Sequence, residues 1–234
     1  MTKKVCTLLA IGMMSVPMVA SAVPVALTAL TGSTAQDTGV FGANLSALSL
    51  SQLASITIRD SGGNAGSPGV WSGFDLDGIK LSTVACATAA CANAAAALNV
   101  FDFVGGTSFS AGTMDATGIV ALQGPCLFGT SGGGCTVNNG VATLGAFDST
   151  FTAVPAGSNG WLSLGRNGQI SFNLTSLVSL ASPVYLYIGE VGNNGETVRG
   201  LVEVRDMKVP EPATLGLLGL GLASLGFARR RKSN

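Results

Sequence analysis

The sequence predicts an all-β body, an antiparallel β-sandwich of the jelly-roll kind. Three observations lead there. Short stretches alternate apolar and polar residues with period two, the pattern of strands with one face buried. Glycine-rich turn signals separate those stretches. Glycine fills 33 of 234 positions and charged residues make up only 10% of the chain, a composition poor in long helices.

Taken in chain order, Ala54 to Asp60 places Ala54, Ile56 and Ile58 inward and Ser55, Thr57 and Arg59 outward. In Phe74-Asp75-Leu76-Asp77-Gly78-Ile79-Lys80-Leu81 the apolar positions are even before Gly78 and odd after it. A glycine at that slip predicts a β-bulge that keeps both apolar sets on the core face. The alanine-rich stretch from Ala85 to Ala97 is the exception, and a short helix is expected there after Cys91. Ile170, Phe172 and Leu174 alternate with Gln169, Ser171 and Asn173. Val184, Leu186 and Ile188 alternate with Tyr185, Tyr187 and Gly189, and Val198, Val202 and Val204 with Arg199, Glu203 and Arg205. Turns fall at Asp60-Ser61-Gly62-Gly63, Asn138-Asn139-Gly140, Arg166-Asn167-Gly168 and Asn193-Asn194-Gly195.

The two ends read differently from the body. Lys3 and Lys4, the apolar run Val5 to Val19 and then Ala20-Ser21-Ala22 follow the order of a secretory signal, with cleavage expected between Ala22 and Val23. Residues 1–22 are therefore read as a signal helix and 23–208 as one extracellular sandwich domain, a length sufficient for a single core. Val209-Pro210-Glu211-Pro212 follows, then an uncharged segment at 213–228 and the basic cluster Arg229, Arg230, Arg231 and Lys232. As a helix, 213–228 would be about 24 Å long, short of a hydrocarbon core of about 30 Å, so it makes a weak transmembrane helix. The basic cluster would remain cytoplasmic and leave the body outside.

Residues 209–232 resemble the PEP-CTERM sorting signal: a Pro-Glu-Pro motif, a short apolar helix and a basic stop, in that order. The same region is also known as the ice-binding protein C-terminal domain. The resemblance implies export in a polysaccharide-producing Gram-negative bacterium. It also implies an inner-membrane-anchored precursor, cleavage near Pro210-Glu211-Pro212 by an exosortase, and delivery to the cell surface or extracellular matrix. The body is similar to ectodomains found before such tails, through Trp71-Ser72-Gly73-Phe74-Asp75-Leu76-Asp77 and Trp161-Leu162-Ser163-Leu164-Gly165. That similarity implies a sandwich and no particular ligand.

Charge and residue inventory exclude several functions. From Val23 to Pro212 there are six basic and twelve acidic side chains, a net of −6, which argues against a nucleic-acid partner. The chain has no histidine. Ser-His-Asp, Cys-His and histidine-ligated metal chemistry are therefore closed to it, and no cofactor is expected.

Four cysteines remain after signal removal, an even number in an exported chain. Three pairings exist, and proximity favours Cys86–Cys91 with Cys126–Cys135. Their spacings fit zinc poorly. Asp75 and Asp77 lie about 6.6 Å apart along one strand, a spacing compatible with a carboxylate glycosidase but general to any such strand. Asp60, Asp75 and Asp77 are candidate calcium ligands, with solvated surface acids as the alternative. Trp71, Trp161, Tyr185 and Tyr187 are candidates for stacking on sugar rings, with core or edge packing as the alternative.

The expected function is accordingly a non-enzymatic surface or matrix protein handled by signal peptidase and exosortase. A carbohydrate-binding, calcium-assisted module of the biofilm matrix, with extracellular polysaccharide as partner, is the alternative.

Overall fold

A computed structural model describes residues 22–34, 38–62, 67–149, 159–192 and 201–207. The signal segment before Ala22, the Val209–Pro212 motif, the apolar segment and the basic stop lie outside the described residues. So do Val198, Arg199 and the turn Asn193-Asn194-Gly195.

The described strands are β1 (Ala22–Val25), β2 (Thr28–Ser33), β3 (Gly39–Asn44), β4 (Gln52–Arg59), β5 (Asp75–Ser82), β6 (Thr107–Ser110), β7 (Thr130–Ser131), β8 (Thr136–Val137), β9 (Leu162–Ser163), β10 (Gln169–Ser179), β11 (Tyr185–Glu190) and β12 (Leu201–Arg205). One short helix, α1 (Ala89–Ala94), accompanies them. Two antiparallel five-stranded sheets form the sandwich, in the orders β1-β12-β4-β10-β6 and β2-β3-β11-β5-β9, and β7 and β8 make a separate ribbon.

The pairings are nested. β1 pairs with β12, β3 with β11, β4 with β10 and β5 with β9, all antiparallel. The body is thus one long hairpin folded over on itself, alternating between the two sheets as it goes. This is the jelly-roll solution, and it brings the two ends of the body together as the outermost rung. The segment between β5 and β9 is an excursion that carries α1, β6, the β7–β8 ribbon and all four cysteines.

The core lies between the sheets. Ile56, Ile58, Ile170, Phe172, Leu174, Val202 and Val204 from one sheet meet Leu76, Ile79, Leu81, Leu162, Leu186 and Ile188 from the other, all buried. The bulge expected at Gly78 is present. Opposite β11, Gly189 pairs with Gly78 and Glu190 with Leu76, so Asp77 is the extra residue. That extra residue is what lets Leu76 and Ile79 share the core. A Cβ on Gly78 would meet the Ala146 carbonyl at 2.3 Å, so the bulge also needs glycine for clearance. In the turn before β10, Asn167 takes φ 62°, a left-handed conformation that asparagine tolerates well.

Three expectations need correction. The helix starts at Ala89, before Cys91, because the Thr88 hydroxyl caps it by accepting the Cys91 amide at 3.2 Å. In β4, Leu53 belongs to the core cluster and Ala54 does not, because the β4–β10 register shifts between Asn173 and Val178. Ser55 and Thr57 alternate outward from Ile56 and Ile58 as expected, yet they are buried. Their hydroxyls are satisfied there: Ser55 donates to the Met207 carbonyl at 2.9 Å, and Thr57 shares a 2.8 Å bond with Ser171.

The outer face of the second sheet carries its own layer. Val40 and Tyr187 are buried there with Ala89 and Ala92 of α1 and Phe147 of the β8–β9 connection. The Lys80 ammonium, on the same face, donates to the carbonyls of Ala92, Asn93 and Ala95 at the C-terminal end of α1. It also lies 5.3 Å from the Phe147 ring centroid. A cation at a helix C-terminus and over an aromatic face is doubly favourable. Burial lowers its pKa from the usual lysine value.

Candidate functional site

Ala22 and Val23, the expected signal-cleavage pair, both sit in β1. Ala22 lies opposite Arg205 and Val23 opposite Val204. Pro24 is accommodated because β1 is the outermost strand of its sheet. Val23 and Val25 pack half-buried against the core. At the end of β12, Arg205 pairs with Glu203 at 3.3 Å, and beyond it Met207 is exposed, two residues before Val209. The mature start and the approach to the sorting motif therefore leave the sandwich at the same end.

The three candidate calcium ligands are not brought together. Asp60 is a backbone clamp, accepting the amides of Gly62, Asn167 and Phe74 at 2.7, 3.0 and 3.1 Å. Asp75 accepts the Ser163 hydroxyl at 2.5 Å. Asp77 is 0% exposed and accepts the Thr38 hydroxyl at 2.9 Å and the Ser149 amide at 3.1 Å. Nor are these acids solvated at the surface. Among the described residues no group of three cysteine, aspartate or glutamate side chains is arranged to hold a metal ion.

Burial pushes the Asp77 pKa up to about 7, and the nearby Asp148 carboxylate adds to the rise against the lowering hydrogen bonds. Thr38 and Ser149 are the polar partners that the sequence did not announce. Thr38 lies 39 positions before Asp77 along the chain and Ser149 72 positions after it, and the Thr38 and Ser149 hydroxyls also share a 2.9 Å bond.

The aromatic candidates divide. Trp161 is only 2% exposed and Tyr187 1%, so neither offers a face to a sugar. Trp161 stacks on Phe128 at 4.1 Å between centroids and is flanked by Trp71 at 6.4 Å. The Tyr187 hydroxyl accepts the Cys86 amide at 2.8 Å and donates to the Val84 carbonyl at 2.7 Å, holding the approach to α1. Trp71 and Tyr185 remain half-buried, in separate clusters.

Both cysteine pairs close as expected, Cys86 with Cys91 and Cys126 with Cys135, each with Cα atoms about 5.5 Å apart. The first pins the start of α1, and the second spans the β7–β8 ribbon. Open clefts lie elsewhere. One of about 250 Å³ is lined by Phe103, Thr107, Phe109, Val137 and Asn139, of which only Asn139 stands out in the sequence, as part of a turn. Period two marks which face a strand buries, but it cannot show that β6 leaves a gap beside the ribbon.

The described body is a β-sandwich whose first and last strands pair, and a separate short segment follows it in the sequence. Residues 208–232 match the PEP-CTERM protein-sorting motif. The chain thus carries the mark of an exported protein that is processed by an exosortase on its way to the surface. No curated protein and no solved structure matches the chain. Among the described residues, no helix is long and apolar enough to cross a membrane.

Proposed function

We propose that this chain is a non-enzymatic structural protein of the cell surface or extracellular matrix. In this reading signal peptidase removes residues 1–22, and an exosortase then releases the body from its temporary inner-membrane anchor. The observation that carries the reading is the sorting motif at 208–232. The body supports it in kind. It is acidic and histidine-free, Asp60, Asp75 and Asp77 are engaged by backbone amides and hydroxyls, and its two disulfides suit an oxidising compartment.

An enzymatic role finds little support. Asp77 is fully buried, so a carboxylate pair with Asp75 could not reach a glycosidic bond. A lectin-like role in a polysaccharide matrix would have to rest on Trp71 and Tyr185, since Trp161 and Tyr187 are enclosed.

Fractionating host cells tests the proposal. With exosortase present, the body is expected in the surface or matrix fraction. Without it, the full-length chain should stay in the inner membrane. Release that is independent of exosortase would overturn the reading.

A further inference from the structure

We propose that closure of β1 onto β12 is a commitment step in maturation: the signal peptide can be removed only before this pair forms, whereas the tail remains cleavable afterwards. The inference rests on the export reading above and adds an order of events to it.

The residues on both sides of the expected scissile bond lie inside the ladder, Ala22 opposite Arg205 and Val23 opposite Val204. Cleavage is a hydrolysis: water adds across the Ala22–Val23 amide, leaving a carboxylate on Ala22 and a new amino group on Val23. A peptidase must first take that amide, as extended backbone, into its own cleft. The backbone of β1 is already committed to β12, and Val23 and Val25 are anchored on the core. The strand must therefore open before it can be cut, and the rate falls with the fraction open.

The tail differs. β12 ends at Arg205, and Pro210 lies five positions further on. Fully extended, that interval reaches about 16 Å, enough to present the motif clear of the sheet edge.

Topology supplies the window for the first cut. The β1–β12 pair is the outermost rung of the nested hairpin and joins the two ends of the body. It can form only when β12 has been exported, and closing so long a loop is late in folding. Until then Ala22–Val23 is accessible.

The test is a pulse-chase in host cells with signal peptidase inhibited during the pulse and the inhibitor then removed. Wild-type precursor exported and folded during the block should lose residues 1–22 on the order of tenfold more slowly than newly made chains. Val25→Asp, which unseats β1 without altering Ala20 to Val23, should restore the fast rate. Because that variant could fold poorly, a second one ties the strands together. Pro24→Cys with Glu203→Cys, residues paired across the two strands, should hold the signal on when oxidised and release it on reduction, relative to wild type given the same reductant.

Equal rates before and after folding, or cleavage of the cross-linked form, would overturn the commitment step alone. Failure of untreated cells to remove residues 1–22 at all would overturn the export reading, and this proposal with it.

Discussion

A tail of about two dozen residues matches a known sorting motif, while the much longer body in front of it matches no curated protein or solved structure. The contrast follows from how each is read. A processing enzyme reads a tail as a contiguous stretch, so Pro210-Glu211-Pro212, an apolar run and Arg229 to Lys232 suffice in line. A sandwich is specified by scattered positions that need only be apolar on one face, and many sequences meet that demand. Destination is therefore written locally and shape is written diffusely. On this view the body's stability depends on its dispersed interior, with no reliance on the tail.

The largest effect is expected from Phe172→Ala. Phe172 is 1% exposed and meets both Phe101 and Phe103 edge-on. Truncation should destabilise the body by about 3–5 kcal/mol in denaturant titration. The same loss should appear with or without residues 209–232. A tail-dependent difference would break the separation of the two regions.

Next comes Asp77→Asn. The folded pKa of Asp77 is raised to about 7 from 3.8, so the folded state binds the proton more tightly than the unfolded chain. Stability from this group is greatest below about pH 4 and falls as pH rises through 7. The full span is on the order of 4 kcal/mol. Asparagine keeps the polar contacts to Thr38 and Ser149 without a charge. Melting of the variant should exceed wild type at pH 8 and approach it at pH 4. Equal pH dependence in both chains would contradict the buried-acid account. Lys80 and Asp148, the neighbouring ionisable groups on this face, are unchanged in the variant.

A smaller loss is expected from Cys126→Ser with Cys135→Ser. The bond closes a short loop in the excursion, and losing it should lower stability by about 2–3 kcal/mol on loop-entropy grounds. Thiol alkylation of the unreduced wild-type body should find no reactive cysteine. The smallest effect concerns sugars. Titration with the host polysaccharide should leave Trp71 fluorescence unchanged, and a saturable change lost in Trp71→Ala would revive the lectin reading.

Much of the sandwich was legible. Ile170, Phe172 and Leu174 were assigned by alternation, and Gly78 by a change of phase in the apolar pattern. The start of α1 is also within reach of the sequence, since Thr88, three residues before Cys91, is a capping signal. The outer layer was not legible. Alternation puts Tyr187 on the outer face correctly, yet says nothing of α1 and Phe147 lying over it. Trp161 is enclosed by Phe128 and Trp71, contacts made far apart in sequence. Asp77 looked like a surface acid or metal ligand because Thr38 and Ser149, which bury and bind it, come to it only through the fold. Period-two reasoning finds faces, and only tertiary structure tells which faces are covered.

The most direct measurement of the central claim is intact-mass analysis of the chain recovered from cells with and without exosortase. The account predicts a product that begins at Val23 and ends near Pro210-Glu211-Pro212 when the enzyme is present, and a product extending through Asn234 when it is absent. The same C-terminus in both would contradict it.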